Sequence, residues 1–151
     1  AERATLAEVL RAREDLSPFA ARLAASRITA KQVRELRQVL DLLRADPTND
    51  EVFATQGRRF EALLAEAGGN VVVRLMVDSL VAIQWDTIPH IEYPVARRRS
   101  VVRSLEQVFD AVAAGDGDAA EAAMQAFVRN GARYWRKFYP DLLSRPIRWT
   151  G

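Results

Sequence analysis

The chain has no cysteine and only one histidine, His90, in its 151 residues. The first absence excludes a disulfide framework and thiolate chemistry. The second makes a histidine-rich metal site or a serine–histidine–aspartate arrangement hard to build. No apolar run reaches the length of about 18 residues that suggests a membrane-spanning helix, and the chain opens on charged residues rather than the apolar core of a signal segment. Charge of one sign is not in excess either: 22 basic and 20 acidic residues leave a net charge of +2, so charge alone does not imply nucleic-acid binding. The expectation is a cytoplasmic protein with no membrane partner.

Strand alternation is also missing, and helical periodicity runs through almost the whole chain. A first helix is predicted from Thr5, which forms a capping-box pair with Glu8, to about Ser26, with Leu6, Val9, Leu10, Leu16, Ala20, Leu23 and Ala24 on one face and a kink at Pro18. Thr29 with Gln32 opens a second, through Val33, Leu36, Val39, Leu40 and Leu43 to near Asp46. Thr48 with Glu51 repeats the signal for a third, which carries Phe53, Phe60, Leu63, Leu64 and Ala67 and ends at Gly68-Gly69. Asn70 caps a fourth, Val71 to about Trp85, apolar nearly all round and therefore expected at the centre of the molecule.

Residues 86–94, with Pro89 and Pro94, read as the one irregular loop of note. A long fifth helix follows to about Ala114 through Val101, Val102, Leu105, Val108, Phe109 and Val112. After a Gly115-Asp116-Gly117 turn, a sixth runs from about Asp118 to Phe138, where Pro140 stops it. The predicted architecture is all-α, an antiparallel bundle of six or seven helices with one core, long enough to need no disulfide or metal staple.

A few residues break the apolar stripes. Arg13 falls on the buried face of the first helix, with Ser17 one turn on; it is a snorkelling arginine, an internal ion-pair partner, for instance of Glu61, or an anchor for an anionic ligand. Gly57 and Glu61 lie one turn apart on the third helix, so the glutamate either points inward beside a position without a side chain or is exposed. Gly131 sits in mid-helix at a cost of about 1 kcal/mol relative to alanine, which suggests a kink or a close approach beside Trp135. Phe127, Tyr134, Trp135 and Phe138 form a stripe that serves either core or pocket wall. The arginines at 97, 98, 99 and 103, and the later set Arg129, Arg133, Arg136 and Lys137, read as solvated faces or as holders of phosphates.

Three segments in order carry a resemblance: Arg13-Glu-Asp-Leu16 through Ala24-Ala25, Phe60 through Gly69-Asn70, and Ala111 to Asp116. Together they resemble the FCD domain, the C-terminal effector-binding domain of FadR-type regulators of the GntR family. Most such domains hold a divalent metal through an Asp and a His one turn apart on the helix before Gly-Asn, plus one His from each of two long later helices. Those positions are here Gly57, Glu61, Leu105 and Phe127, three of which have no ligand atom, so neither a metal nor another cofactor is expected.

Leu105 and Phe127 in place of imidazoles favour an apolar effector. In this the chain resembles the branch that responds to fatty acyl-CoA, which is also similar in having a serine at the position of Ser17 and a tryptophan like Trp135 on the last helix. That likeness implies a ligand site at Arg13, Phe127, Gly131 and Trp135, although a small polar residue is expected where Gly131 stands. It implies, for residues 1–151, an effector-binding and dimerisation domain, bound to a fatty acyl-CoA or fatty acid, homodimeric, and in contact with DNA only through a winged helix-turn-helix domain outside this chain. The alternatives are a sensor of a small organic acid anchored by Arg13 and a ligand-free dimerisation module. An enzyme is not expected, because no nucleophile or oxyanion arrangement accompanies Glu61.

Overall fold

Two reciprocal capping boxes set the first two helices where the sequence predicts them. In this computed structural model, which describes residues 3–88 and 91–147, helix α1 (Leu6–Arg27) starts at Thr5, whose hydroxyl accepts the Glu8 N–H while the Glu8 carboxylate accepts the Thr5 N–H, both at 3.3 Å. Thr29 and Gln32 do the same for α2 (Ala30–Ala45), at 3.2 and 3.0 Å. Helix α1 continues through Pro18 to Arg27. His90 and Pro89, which figure in the sequence expectations, lie outside the described residues.

Helix α3 (Asp50–Ala67) is capped by Asn49, not Thr48: the Thr48 hydroxyl donates to the Asp46 carboxylate at 2.8 Å, and the Asn49 side chain accepts the Val52 N–H at 3.0 Å. The glycine pair then turns the chain, with Gly69 at a φ of 71° that a side chain would resist. Asn70 caps α4 (Val71–Thr87) as expected, accepting the Val73 N–H at 3.1 Å. Helix α5 (Val95–Ala113) and helix α6 (Gly117–Phe138) are joined by a tight turn, Gly115 at a φ of 73° and Asp116 capping α6. Pro140 both ends α6 and occupies the first turn of a short α7 (Pro140–Ser144). The described residues form seven helices; the expected all-α bundle is observed.

The centre of the bundle is α1, not α4. Helix α1 packs against α3, α4, α5, α6 and α7. Its alanines at 20, 21, 24 and 25 are buried, and such small side chains let neighbouring helices approach closely. Helix α4 buries only Val77, Val81, Gln84 and Trp85 and leaves Val71, Val72, Leu75 and Met76 exposed at 67, 66, 63 and 47%. An apolar surface all round predicts burial, yet one side of this helix has no partner among the described residues.

Arg98 also departs from expectation. It is not solvated: its Nε donates to the Tyr93 carbonyl at 2.8 Å and its Nη1 to the Pro47 carbonyl at 3.2 Å, while Nη2 meets the Asp50 carboxylate. The guanidinium thereby fastens the start of α5 to the start of α3. Phe138, placed on the core stripe by its spacing, is 54% exposed.

Candidate functional site

Midway along α1, three helices direct polar side chains into a space closed to water. Arg13 from α1 is fully buried and spends all three guanidinium nitrogens: Nη2 donates to Glu61 Oε1 on α3, Nη1 to Gln84 Oε1 on α4, and Nε to Ser17 Oγ at 3.3 Å. The second carboxylate oxygen of Glu61 accepts the Trp85 indole N–H. Arg13 is therefore fully paired within the fold, as its ion-pair reading expects. Burying two charges costs several kcal/mol each, and the four hydrogen bonds offset that cost only while both partners remain.

Of the predicted site residues, the structure joins Arg13, Ser17 and Glu61 directly, and Glu61 is buried, not exposed. Gly57 stands one turn from Glu61, as expected, and its role is steric: a Cβ there would fall 2.8 Å from Cε3 of Trp85 and closer still to Cζ3 and Cη2. The missing side chain is the space that the indole occupies. Gly131 on α6 faces the same cluster, since a Cβ on it would lie 3.8 Å from the Gln84 Nε2, ordinary contact distance. Leu105 and Trp135 are fully buried and Phe127 nearly so, all in the core that surrounds the cluster.

Gln84 and Trp85 were not singled out from the sequence. Gln84 carried a usable signal: with Val77 and Val81 it occupies an i, i+4, i+7 stripe, so a polar residue lies on the buried face of α4 just as Arg13 does on α1. Nothing in the sequence spacing announces that Trp85 fills the gap at Gly57.

The residues at the positions where related domains hold a metal do not suit one. Gly57, Leu105 and Phe127 offer no donor atom, and both oxygens of Glu61 are committed to Arg13 and Trp85. Among the described residues no cluster of three or more His, Cys, Asp or Glu has metal-binding geometry.

From Trp85 a column of aromatic rings leads outward. Ring centroids are 5.4 Å apart for Trp85 and Phe53, 5.7 Å for Phe53 and Tyr93, 5.4 Å for Tyr93 and Tyr134, and 4.6 Å for Tyr134 and Phe138, which is at the surface. Burial pushes the Tyr93 and Tyr134 phenols up from the usual tyrosine range, against the opposing pull of Arg97, so the column is uncharged at neutral pH.

A model of the FCD domain matches residues 8–130. The chain belongs to the FCD domain family. FCD domains are the effector-binding parts of GntR-type regulators, and this one is accordingly a regulator's domain and not an enzyme. Its fold is similar to that of E. coli McbR/YncC, with a TM-score of 0.77 and 17% identity over 87% of this chain and 64% of that one. It is likewise similar to Streptococcus agalactiae GntR, with a TM-score of 0.69 and 21% identity over 85% of this chain and 58% of that one. The FCD domain thus spans less than two thirds of either protein's length. No curated protein matches it. Among the described residues no helix is long and apolar enough to cross a membrane.

Proposed function

We propose that this FCD domain senses an apolar effector of the fatty acyl-CoA or fatty acid kind, without a metal, inside a cytoplasmic homodimeric transcription regulator. DNA contact would belong to a winged helix-turn-helix domain attached to it. The observation that carries the reading is the Arg13–Glu61 pair. A small organic acid anchored by Arg13 would have to take the guanidinium from Glu61 and strand a buried carboxylate, a loss of several kcal/mol. An acyl chain leaves the Arg13–Glu61 pair intact. It needs apolar volume, which it gains by displacing the Trp85 indole from its seat on Gly57, at the loss of one hydrogen bond to Glu61.

Each methylene so buried contributes about 0.8 kcal/mol, so affinity should climb steeply with chain length. The ligand would bind only the state with Trp85 displaced, and this differential affinity shifts the population toward it. The test is titration of the purified domain with acyl-CoAs of increasing length, with coenzyme A and with small carboxylic acids, read by tryptophan fluorescence in the presence of a chelator. Chain-length-dependent binding that survives chelation supports the reading. Binding of small acids alone, or binding that requires a metal, rules it out.

A specific observation favours a second reading, a ligand-free dimerisation module: the space at Gly57 is already filled, and α4 presents an unpartnered apolar stripe. Residues Val72, Leu75, Met76 and Ser79 follow one another at helical spacing, and Arg74 pairs with Asp78 beside them at 3.7 Å. Two copies crossing antiparallel on this stripe would set opposite charges against each other, as a two-fold interface requires. Under both readings Leu75→Glu should convert a dimer to a folded monomer in light-scattering chromatography, because Leu75 contributes little to the core. Only the first reading expects ligand binding.

A further inference from the structure

On the outer surface between α5 and α6 lies an open trough of about 360 Å³. Three cations line it, Arg97, Arg133 and Lys137, and no acidic residue does. None of the three makes an ion pair among the described residues, and here, unlike the cations at the ion-paired surface positions such as Arg22 and Arg44, they converge on one concavity. Gathering like charges around one concavity is unfavourable unless an anion enters it.

The trough also has aromatic walls. The Arg97 guanidinium sits 4.6 Å above the Tyr134 ring, which holds it in place, and its Nε donates to the Tyr93 hydroxyl at 3.3 Å. Phe138 offers an exposed ring at the rim, with the Lys137 ammonium 5.3 Å from its centre. The hydroxyl of Ser100 and the amide of Asn130 add neutral polar groups to the lining.

We infer that this trough is a binding site for a phosphorylated nucleotide, whose phosphates meet Arg97, Arg133 and Lys137 and whose base stacks on Phe138. Several cations around one pocket suit the multiple charges of phosphate better than a single carboxylate, and a flat base uses the exposed ring that an inorganic anion would leave idle. The size of the trough fits a mononucleotide. A nucleic-acid backbone would call for a longer basic track. The inference extends the acyl-CoA reading to the phosphorylated end of such a ligand and in that respect rests on it; the aromatic column runs from this rim to Trp85.

The probe is adenosine 3′,5′-bisphosphate, which has no acyl chain, compared with pyrophosphate, duplex DNA and a free fatty acid by calorimetry on the purified domain. Arg133→Gln with Lys137→Gln should weaken the bisphosphate by about tenfold or more, as expected when charge-assisted bonds to phosphate are lost. Phe138→Ala should weaken the bisphosphate and spare pyrophosphate. Arg129→Gln and Arg136→Gln, on the same helix outside the trough, should change neither. All five positions are exposed, so thermal unfolding should be unaltered. No bisphosphate binding, equal binding by the double variant, or binding of duplex DNA in its stead overturns the inference. If the fatty acid binds while the bisphosphate does not, the effector reading survives and the trough site falls; the converse result leaves the trough standing and removes the acyl chain.

Discussion

Trp85 occupies the place of the side chain that Gly57 lacks, and from there its indole N–H reaches the carboxylate of Glu61. One glycine thus decides where a tryptophan two helix-ends away is seated. It also determines whether a buried acid has its second hydrogen bond.

Gly57→Ala is accordingly expected to be destabilising, even though alanine favours helix. The new methyl cannot coexist with the indole, and overpacking of this kind costs about 1–3 kcal/mol. Chemical denaturation should show the loss. Adding Trp85→Leu should recover part of it, by freeing the space that the methyl needs.

Removal of one member of the Arg13–Glu61 pair should be far worse than removal of both. Glu61→Ala strands a buried guanidinium and is expected to cost about 3–5 kcal/mol, whereas Arg13→Met combined with Glu61→Leu should regain most of that. A double-mutant cycle in denaturant measures the difference. Additive losses would mean that the pair is not coupled.

Gly131→Ala should act in the opposite direction to Gly57→Ala. A Cβ here meets only the Gln84 amide, at 3.8 Å, so the helix gains about 0.5–1 kcal/mol with no clash. If an acyl chain packs against Gly131, the more stable variant will bind it less tightly. Thermal unfolding and an acyl-CoA titration on the same sample separate the two effects.

Asp78 should give the domain a pH response. Burial lifts its carboxyl above the ordinary value of 3.8; Arg74 and Arg58 pull it down and Glu66 adds to the rise. The folded chain therefore holds this proton more tightly than the unfolded chain. The group's contribution to stability is greatest in acid and falls as pH rises from 3.8 through the folded value. Asp78→Asn should be more stable than the parent at neutral pH, and the gap should close toward pH 3. A gap independent of pH would exclude titration of Asp78 as its cause.

Much of this fold was legible in the sequence, because local chemistry specifies helix ends. Thr5 with Glu8, Thr29 with Gln32, and Asn70 each cap where a reading of the sequence puts them. Elsewhere a competing contact intervened. Thr48 gave its hydroxyl to Asp46, so the cap of α3 moved to Asn49. Helix α7 is a single turn and leaves no periodic pattern to detect. The centre was misplaced because apolarity does not say which surface covers it: α4 is the more hydrophobic helix, but α1, with its small residues, is the one the others surround.

For the candidate site, the sequence singled out the right polar residue and half of its surroundings. Arg13 stands out as a charge on an apolar stripe with Glu61 flanking another, and their pairing is one of three possibilities the sequence leaves open. Trp85 could not be foreseen, since its place depends on how α3 and α4 approach each other in space. Arg98 was hidden in a run of arginines, three residues of identical type of which one is buried.

The first and last described segments of the chain are stitched together. Thr5 and Pro146 form a single antiparallel bridge, and the Ile147 N–H donates to the Ala4 carbonyl at 2.8 Å. Arg13 lies two turns up α1 from that seam, so the buried ion pair and the seam hold the same stretch of helix from two sides. The seam thus locks the entry of α1 to the segment that follows α7, so that neither moves alone.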